Sequence, residues 1–413
     1  MKELERFPPD LLQQPVHVRL SYFKNKIISH PKLEEARDRL VRTIRDPAGA
    51  ALVFVYGPTG VGKTTLCNRV IQLLIEESLA AMQLDPGHLP VAQMEVPAPS
   101  KLGNFSWPDY FIRGLEALWE PHIDKKVDYS SYGIRRSSDG RLIVDRRGPS
   151  EAALRRAFEA TLRERRLLAF FNDEAQHFRK IRNPEKFLDQ MDCVKSTASL
   201  GKTLHVLVGT YDLLGLVNLS AQLSRRATEI HLPRYSTDFQ GDIDAFGSVL
   251  LSFQLHLPLE QEPDLTSDFQ YFYMYSAGCV GVLKDWLHSA LRETLLGDPK
   301  KSFREHVEET AKSLTQLANM VGELRAGEVQ LVETEAKRAT VRLHLGLDKQ
   351  PGQASPPQQP GENEGGVEKG VEESSSFQQE GVEATGKKGK KGKKGSVGER
   401  NPIRDPVGVQ ADG

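Results

Sequence analysis

The sequence predicts an α/β chain: a doubly wound, five-stranded parallel sheet, then a helical region, then a tail without structure. Three observations predict it. Apolar strand-like runs alternate with amphipathic helical patterns up to about Pro233, the alternation that builds parallel sheets with helices on both faces. Beyond that point only helical periodicity continues. From Lys349 to Gly413 there are 13 Gly and 6 Pro among 65 residues, and Phe377 is the sole aromatic. So little apolar surface cannot offset the entropy of ordering it. The expected organisation is an N-terminal extension with a lead-in helix (1–45), an α/β domain (46–236) with an inserted hairpin near 127–148, a helical lid with C-terminal helices (237–346) and the tail (347–413).

The predicted strands are Ala51–Tyr56, Pro90–Val96, Leu167–Phe171, Leu204–Val208 and Thr228–Leu232. Between them, Thr65–Met82 carries Leu66, Val70, Leu73 and Leu74 on one helical face, and Ser150 caps a helix to Arg166 with Leu154, Phe158 and Leu162 as its stripe. Past Asp238 the pattern reads as several short helices to Gly297, a longer one from about Lys301 to Gly322, and a final pair flanking Gly327.

The first strand runs directly into Gly57-Pro58-Thr59-Gly60-Val61-Gly62-Lys63-Thr64-Thr65, which fits GxxxxGK[ST] between a strand and a helix. The glycines let backbone N–H groups curl around phosphates, and the helix start points its positive end at them. Lys63 is expected to reach the β- and γ-phosphates of ATP, and the Thr64 hydroxyl to ligate Mg²⁺. About a hundred residues later the run Leu167–Phe171 ends in Asn172-Asp173-Glu174. Asp173 is expected to complete the Mg²⁺ shell and Glu174 to activate the attacking water. Thr210, at the tip of the neighbouring strand, suits a sensor of the γ-phosphate or that water. Arg225 and Arg226 precede the fifth strand, at the edge that would face a neighbouring subunit's nucleotide, where either could act in trans.

The composition sets further expectations. Net charge is −1, so attraction to nucleic acid must come from local patches such as Lys387–Lys394 rather than a global cationic field. Cys67, Cys193 and Cys279 are too scattered for a disulfide framework or zinc site and read as small core residues. No run of eighteen apolar residues occurs, and MKELERFPPD lacks the apolar centre of a signal peptide. The expected location is cytoplasmic and, given the DNA reading below, nucleoid-associated.

In order and spacing, Tyr22-Phe23, His30-Pro31, GPTGVGKTTL, NDEAQHF, LDQMDCVKSTAS, LVGTYDLLGL, LSRR and PRY resemble the AAA+ ATPases. The branch is that of the origin-recognition ATPases and the transposition regulators TnsC and TniB, over roughly Ser21–Gly346. The resemblance implies an ATP-dependent homo-oligomer, ring or filament, on double-stranded DNA, linking a TniQ-like target selector to a transposase. A replication-initiator or helicase-loader ATPase is the alternative, although nothing after Gly346 reads as a winged helix; a small-molecule P-loop phosphotransferase is a third class. Such ATPases carry a second-sensor arginine early in a lid helix, where this chain has Lys284; Arg292 is a further candidate. The insertion Val127–Gly148 reads as a hairpin about Ser138-Asp139-Gly140. Its Arg135, Arg136 and Arg141, together with Arg146, Arg147 and Lys101, are the expected phosphate contacts to DNA. Lys195 and His177 are expected to be structural, His177 coupling the Asp173 strand to its neighbour.

Overall fold

The run Leu52–Tyr56 forms β1, whose five side chains are all buried because helices cover both faces of its sheet. The computed structural model describes residues 5–99, 105–119, 128–138, 141–144, 150–179, 186–217, 225–298 and 300–347. Within them follow β2 (Val91–Glu95), β3 (Ile134–Arg136), β4 (Leu142–Val144), β5 (Ala169–Asp173), β6 (Leu204–Gly209) and β7 (Ala227–His231). One sheet takes the order β2-β5-β6-β1-β7, every pair parallel. Each predicted strand of this sheet lies within two residues of its observed place.

Among the described residues, the helices before β7 are α1 (Val16–Asn25), α2 (Pro31–Arg45), α3 (Lys63–Leu84), α4 (Trp107–Ala117), α5 (Glu151–Arg165), α6 (Lys186–Gly201) and the short α7 (Leu214–Val217). Alternate residues of β1 serve opposite faces. Val53 and Val55, with Val206 and Val208, pack against Leu40 and Ile44 of α2 and Leu66 and Val70 of α3. Leu52, Phe54 and Phe170 pack against Phe111 of α4, Phe158 and Leu162 of α5 and Met191 of α6. Ser150 caps α5 as predicted, its hydroxyl accepting from Ala153 N at 3.2 Å. Cys67 and Cys279 are buried and Cys193 half-buried, all three as free thiols. The inserted hairpin forms as β3 against β4, antiparallel, with Arg135 opposite Ile143; Asp139 and Gly140 of its turn lie outside the described residues.

The helical region comprises α8 (Gln240–His256), α9 (Phe269–Ser276), α10 (Val280–Leu296), α11 (Phe303–Glu309), α12 (Leu314–Leu331) and α13 (Glu335–His344). It corrects the expected helix lengths. Two 17-residue helices, α8 and α10, replace the several short ones. The helix expected from Lys301 to Gly322 is broken at Thr310–Ser313, where Ser313 and Gln316 form a capping box that starts α12 afresh. Gly327 does not separate two helices either. It lies inside α12, where a Cβ would come within 2.1 Å of the Tyr211 ring, so glycine permits the helix to cross the tip of β6. The N-terminal α1 packs into the core of this region rather than onto the sheet, Phe23 lying with Phe253, Leu283 and Leu287.

The chain divides into two units, 1–341 and 342–413. In the second, residues 342–347 end α13 and turn at Gly346, φ +69°. The tail expected to lack structure, with its Lys387–Lys394 block, lies outside the described residues. Among the described residues no helix is long and apolar enough to cross a membrane.

The packing yields two predictions. His205 of β6 is fully buried against Phe158 and Phe170, neither ring nitrogen has a hydrogen-bond partner, and burial holds its pKa down at about 3. A depressed folded pKa means that stability is intact above the ordinary value near 6.5 and is lost as pH falls below it. Against His205→Leu, the wild type should therefore lose up to about 1.4 kcal/mol of relative stability per pH unit below 6.5, read from urea midpoints. Gly327→Val should lift α12 from Tyr211, speeding proteolysis between α11 and α13, and Tyr211→Ala should restore protection by making room.

Candidate functional site

β1 ends at Tyr56 and α3 begins at Lys63, so Gly57–Gly62 turns within one short loop. The loop needs its glycines for different reasons. At Gly57 a Cβ would sit 2.2 Å from the Leu232 carbonyl oxygen, so only glycine lets the loop leave β1 beside the end of β7. Gly62 has open space around it but takes φ +109°, a backbone that side-chain-bearing residues avoid. Gly60 meets the helical region: a Cβ there would lie 2.5 Å from Val282 Cγ2, and its carbonyl accepts from Val282 N at 3.1 Å.

The polar groups expected to act together do lie together. Lys63 Nζ donates to Gly57 O at 3.0 Å and Pro58 O at 2.8 Å, so the ammonium is curled inside the loop. Burial pulls its pKa down, opposed by the charges of Glu174 and Asp173. A half-desolvated ammonium partnered by carbonyls fits an anion such as a phosphate. Thr64 Oγ1 donates to Asp173 Oδ2 at 3.3 Å, bringing a hydroxyl and a carboxylate oxygen together as a hard divalent cation requires. Glu174 follows at φ +54°, its backbone N donating to Asp173 Oδ1 at 2.9 Å. Thr210, at the tip of β6, caps the short turn after it, its hydroxyl accepting from Asp212 N. Pro58, Thr59, Gln176 and Thr210 share a cavity whose far wall is Glu323 and Gly327 of α12.

On the other side of the loop, Val61, Gly62 and Thr65 face Ile28, His30, Val280 and Lys284 across a small, mostly apolar crevice. The sequence reading missed this wall, since it unites the α1–α2 link with the first turn of α10. Its one visible signal was Gly281, where a Cβ would strike the Gly60 carbonyl oxygen at 2.4 Å. Lys284 lines the crevice, but its ammonium donates to Lys24 O at 2.8 Å, the last turn of α1. Burial lowers its pKa. Arg292 is exposed and paired with Glu293.

Arg225 and Arg226 stand at the start of β7, where Arg225 is exposed and Arg226 O accepts from Ala51 N at 3.0 Å. That is the opposite end of the sheet from the phosphate loop. At about 3.3 Å per residue, the five residues of β7 put some 16 Å between them and the loop of the same chain. Ser224, before them, is outside the described residues.

On the hairpin, Arg135 and Arg141 are exposed, whereas Arg136 is half-buried over the rings of Tyr129 at 5.3 Å and Trp119 at 5.7 Å. Lys101, Arg146 and Arg147 lie outside the described residues. His177 Nδ1 pairs with Val96 O at 2.9 Å, joining the segment after β5 to the end of β2 as expected, and Lys195 pairs with Asp192 on α6.

A parallel α/β sheet with this loop and this carboxylate pair defines a P-loop nucleotide-binding domain. Residues 45–217 match the family model described as AAA domain. Among solved structures the chain is similar to the Walker-type ATPase of Pyrococcus abyssi, at 14% identity over 78% of this chain and 81% of that one, TM-score 0.43. It is similar to the ORC2 protein of Aeropyrum pernix in ADPNP and ADP complexes, at 16% over 71% and 73%, TM-score 0.44. A third is domain III of the replication initiation protein DnaA of Thermotoga maritima, at 12% over 74% and 99%, TM-score 0.38. No curated protein sequence matches the chain.

Lys63→Ala should lower affinity for a fluorescent ATP analogue at least tenfold without lowering the melting temperature, because the ammonium bonds to carbonyls of its own loop. Nucleotide binding at wild-type strength would show that the loop does not hold phosphate.

Proposed function

We propose that this chain is an ATP hydrolase whose nucleotide state controls a homo-oligomer on double-stranded DNA, acting as a regulator of transposition between a TniQ-like target selector and a transposase. The observation that carries the ATPase part is the convergence of Lys63, Thr64, Asp173, Glu174 and Thr210 at one edge of the sheet, with Arg225 and Arg226 at the other. The transposition part rests on the ordered resemblance to TnsC and TniB.

In this reading Gly57–Thr65 cradles the phosphates, with Lys63 on the β- and γ-phosphates. Thr64 and Asp173 would hold Mg²⁺, which supplies charge neutralisation when bound. Glu174 accepts the water's proton, since its carboxylate is next in sequence to the metal-binding Asp173. Thr210 reads the γ-phosphate from the tip of β6, and the crevice that Lys284 lines takes the base of the nucleotide. Arg225 or Arg226 acts on the neighbouring subunit's nucleotide, a role that suits their distance from their own loop. Arg135, Arg141 and Lys101 contact DNA phosphates, while Arg136 anchors the hairpin by stacking its guanidinium on the rings of Tyr129 and Trp119. A DNA-bound oligomer of this kind works in the cytoplasm at the nucleoid.

Mixing tests the trans geometry. Arg225→Ala/Arg226→Ala and Glu174→Gln subunits should each hydrolyse ATP poorly, yet mixtures should recover activity, because a finger from one meets a base from the other. Assembly without recovery at any ratio would assign the arginines to their own subunit. On DNA, ATP-dependent binding should be indifferent to sequence and fall with salt. Arg135→Ala with Arg141→Ala should flatten the log–log slope by about 0.9 for each phosphate that is no longer neutralised. Binding confined to particular sequences would favour a replication initiator instead.

A further inference from the structure

Gln176 joins two groups that stand on different strands. Its Nε2 donates to Glu174 Oε2 at 2.5 Å, and its Oε1 accepts from Thr210 N at 3.3 Å. The partners dictate the orientation of the amide, because an ionised carboxylate only accepts and a backbone N–H only donates. The side chain is 7% exposed, and the space it fills exists because residue 209 is glycine. A Cβ there would lie 2.3 Å from Gln176 Oε1. The bridge therefore has a donor end, an acceptor end and a reserved cavity. Among the described residues it is the tie between the Glu174 carboxylate and β6.

We propose that Gln176 is a positioning residue that locks the carboxylate of Glu174 to the tip of β6, so that the base and Thr210 are set as one unit. The inference rests on the reading of Glu174 as the base. Asparagine would be too short to span both partners from the same backbone position. Glutamate would set one carboxylate against another. Gly209 belongs to the same device, since any side chain there displaces the amide.

Gln176→Met keeps length and volume and removes both hydrogen bonds. Its kcat should fall about 10- to 100-fold, the usual loss when a supporting partner of a reacting group is removed. KM for ATP and analogue affinity should stay within about threefold. In the nucleotide-free protein the Thr210 amide should exchange with deuterium at least tenfold faster, because its acceptor has gone. Gly209→Ala should reproduce both changes, and the double variant should be no worse than the poorer single one, as two lesions in one linkage must be. Gln176→Glu, a second variant should the methionine fail to fold, should lose more kcat than Gln176→Met. Unchanged kcat in Gln176→Met, or losses that multiply in the double variant, would overturn the inference. If instead the wild type does not hydrolyse ATP, or Glu174→Gln hydrolyses it normally, the reading of Glu174 itself is what fails.

Discussion

The site depends on the level alignment of parallel strands. Tyr56 of β1 pairs with Gly209 of β6, and Asn172 of β5 pairs with Leu207. Two residues onward, Glu174 therefore stands beside Gly209, and the residues after Tyr56, Asp173 and Gly209 leave the sheet at one height. Parallel strands bring like ends together without any loop having to reach. A slip of one residue in β5 would turn Asp173 toward the opposite face and break its pairing with Thr64. The burial of Phe170, Phe171, Val206, Leu207 and Val208 therefore underwrites the chemistry, because the hydrophobic core sets that register.

The second constraint is backbone proximity between the loop and the helical region. A Cβ on Gly281 would strike the Gly60 carbonyl oxygen, a Cβ on Gly60 would press on the Val282 side chain, and the Val282 N–H closes onto the Gly60 carbonyl. The same helix, α10, shares a core with α1 through Phe23 and Leu287. The N-terminal segment is thus coupled to the phosphate loop through α10 rather than through the sheet. Lys284 illustrates the coupling: it lines the crevice at the loop while its ammonium holds the end of α1.

What was legible in the sequence was whatever short-range pattern determines. Strand runs such as Leu204–Val208 are apolar because both faces are covered, the loop is a contiguous motif, and the Ser150 cap is a local bond. The hairpin was legible too, from Asp139-Gly140 between two strand-like segments. Gly327 was misread because its reason, the ring of Tyr211, is remote in sequence. Likewise the break before Ser313 comes from a capping box with Gln316 that overrides the continuing helical periodicity. Gln176 reads as an ordinary polar residue until Thr210 and Gly209 are brought next to it, and the wall of the crevice beside the loop needed α1 and α10 in one place. Arg136 counted as one more surface cation until Tyr129 and Trp119 were folded beneath it.

The crossing of α12 over Tyr211 has a mechanical meaning. Gly327 lies near one end of an 18-residue helix, and the helix runs on for about 20 Å toward Leu314 at 1.5 Å per residue. Tyr211 follows Thr210 directly, so the pivot abuts the proposed sensor. With its fulcrum there, the helix is a lever: a tilt of about 5° displaces its distant end by nearly 2 Å, given that length. Leu314 and Val321, both solvent-facing, ride on that arm. Its inner face, through Leu317 and Leu324, packs with Ala277, Cys279 and Val282, so any tilt at the pivot would be carried into the helical region by those contacts.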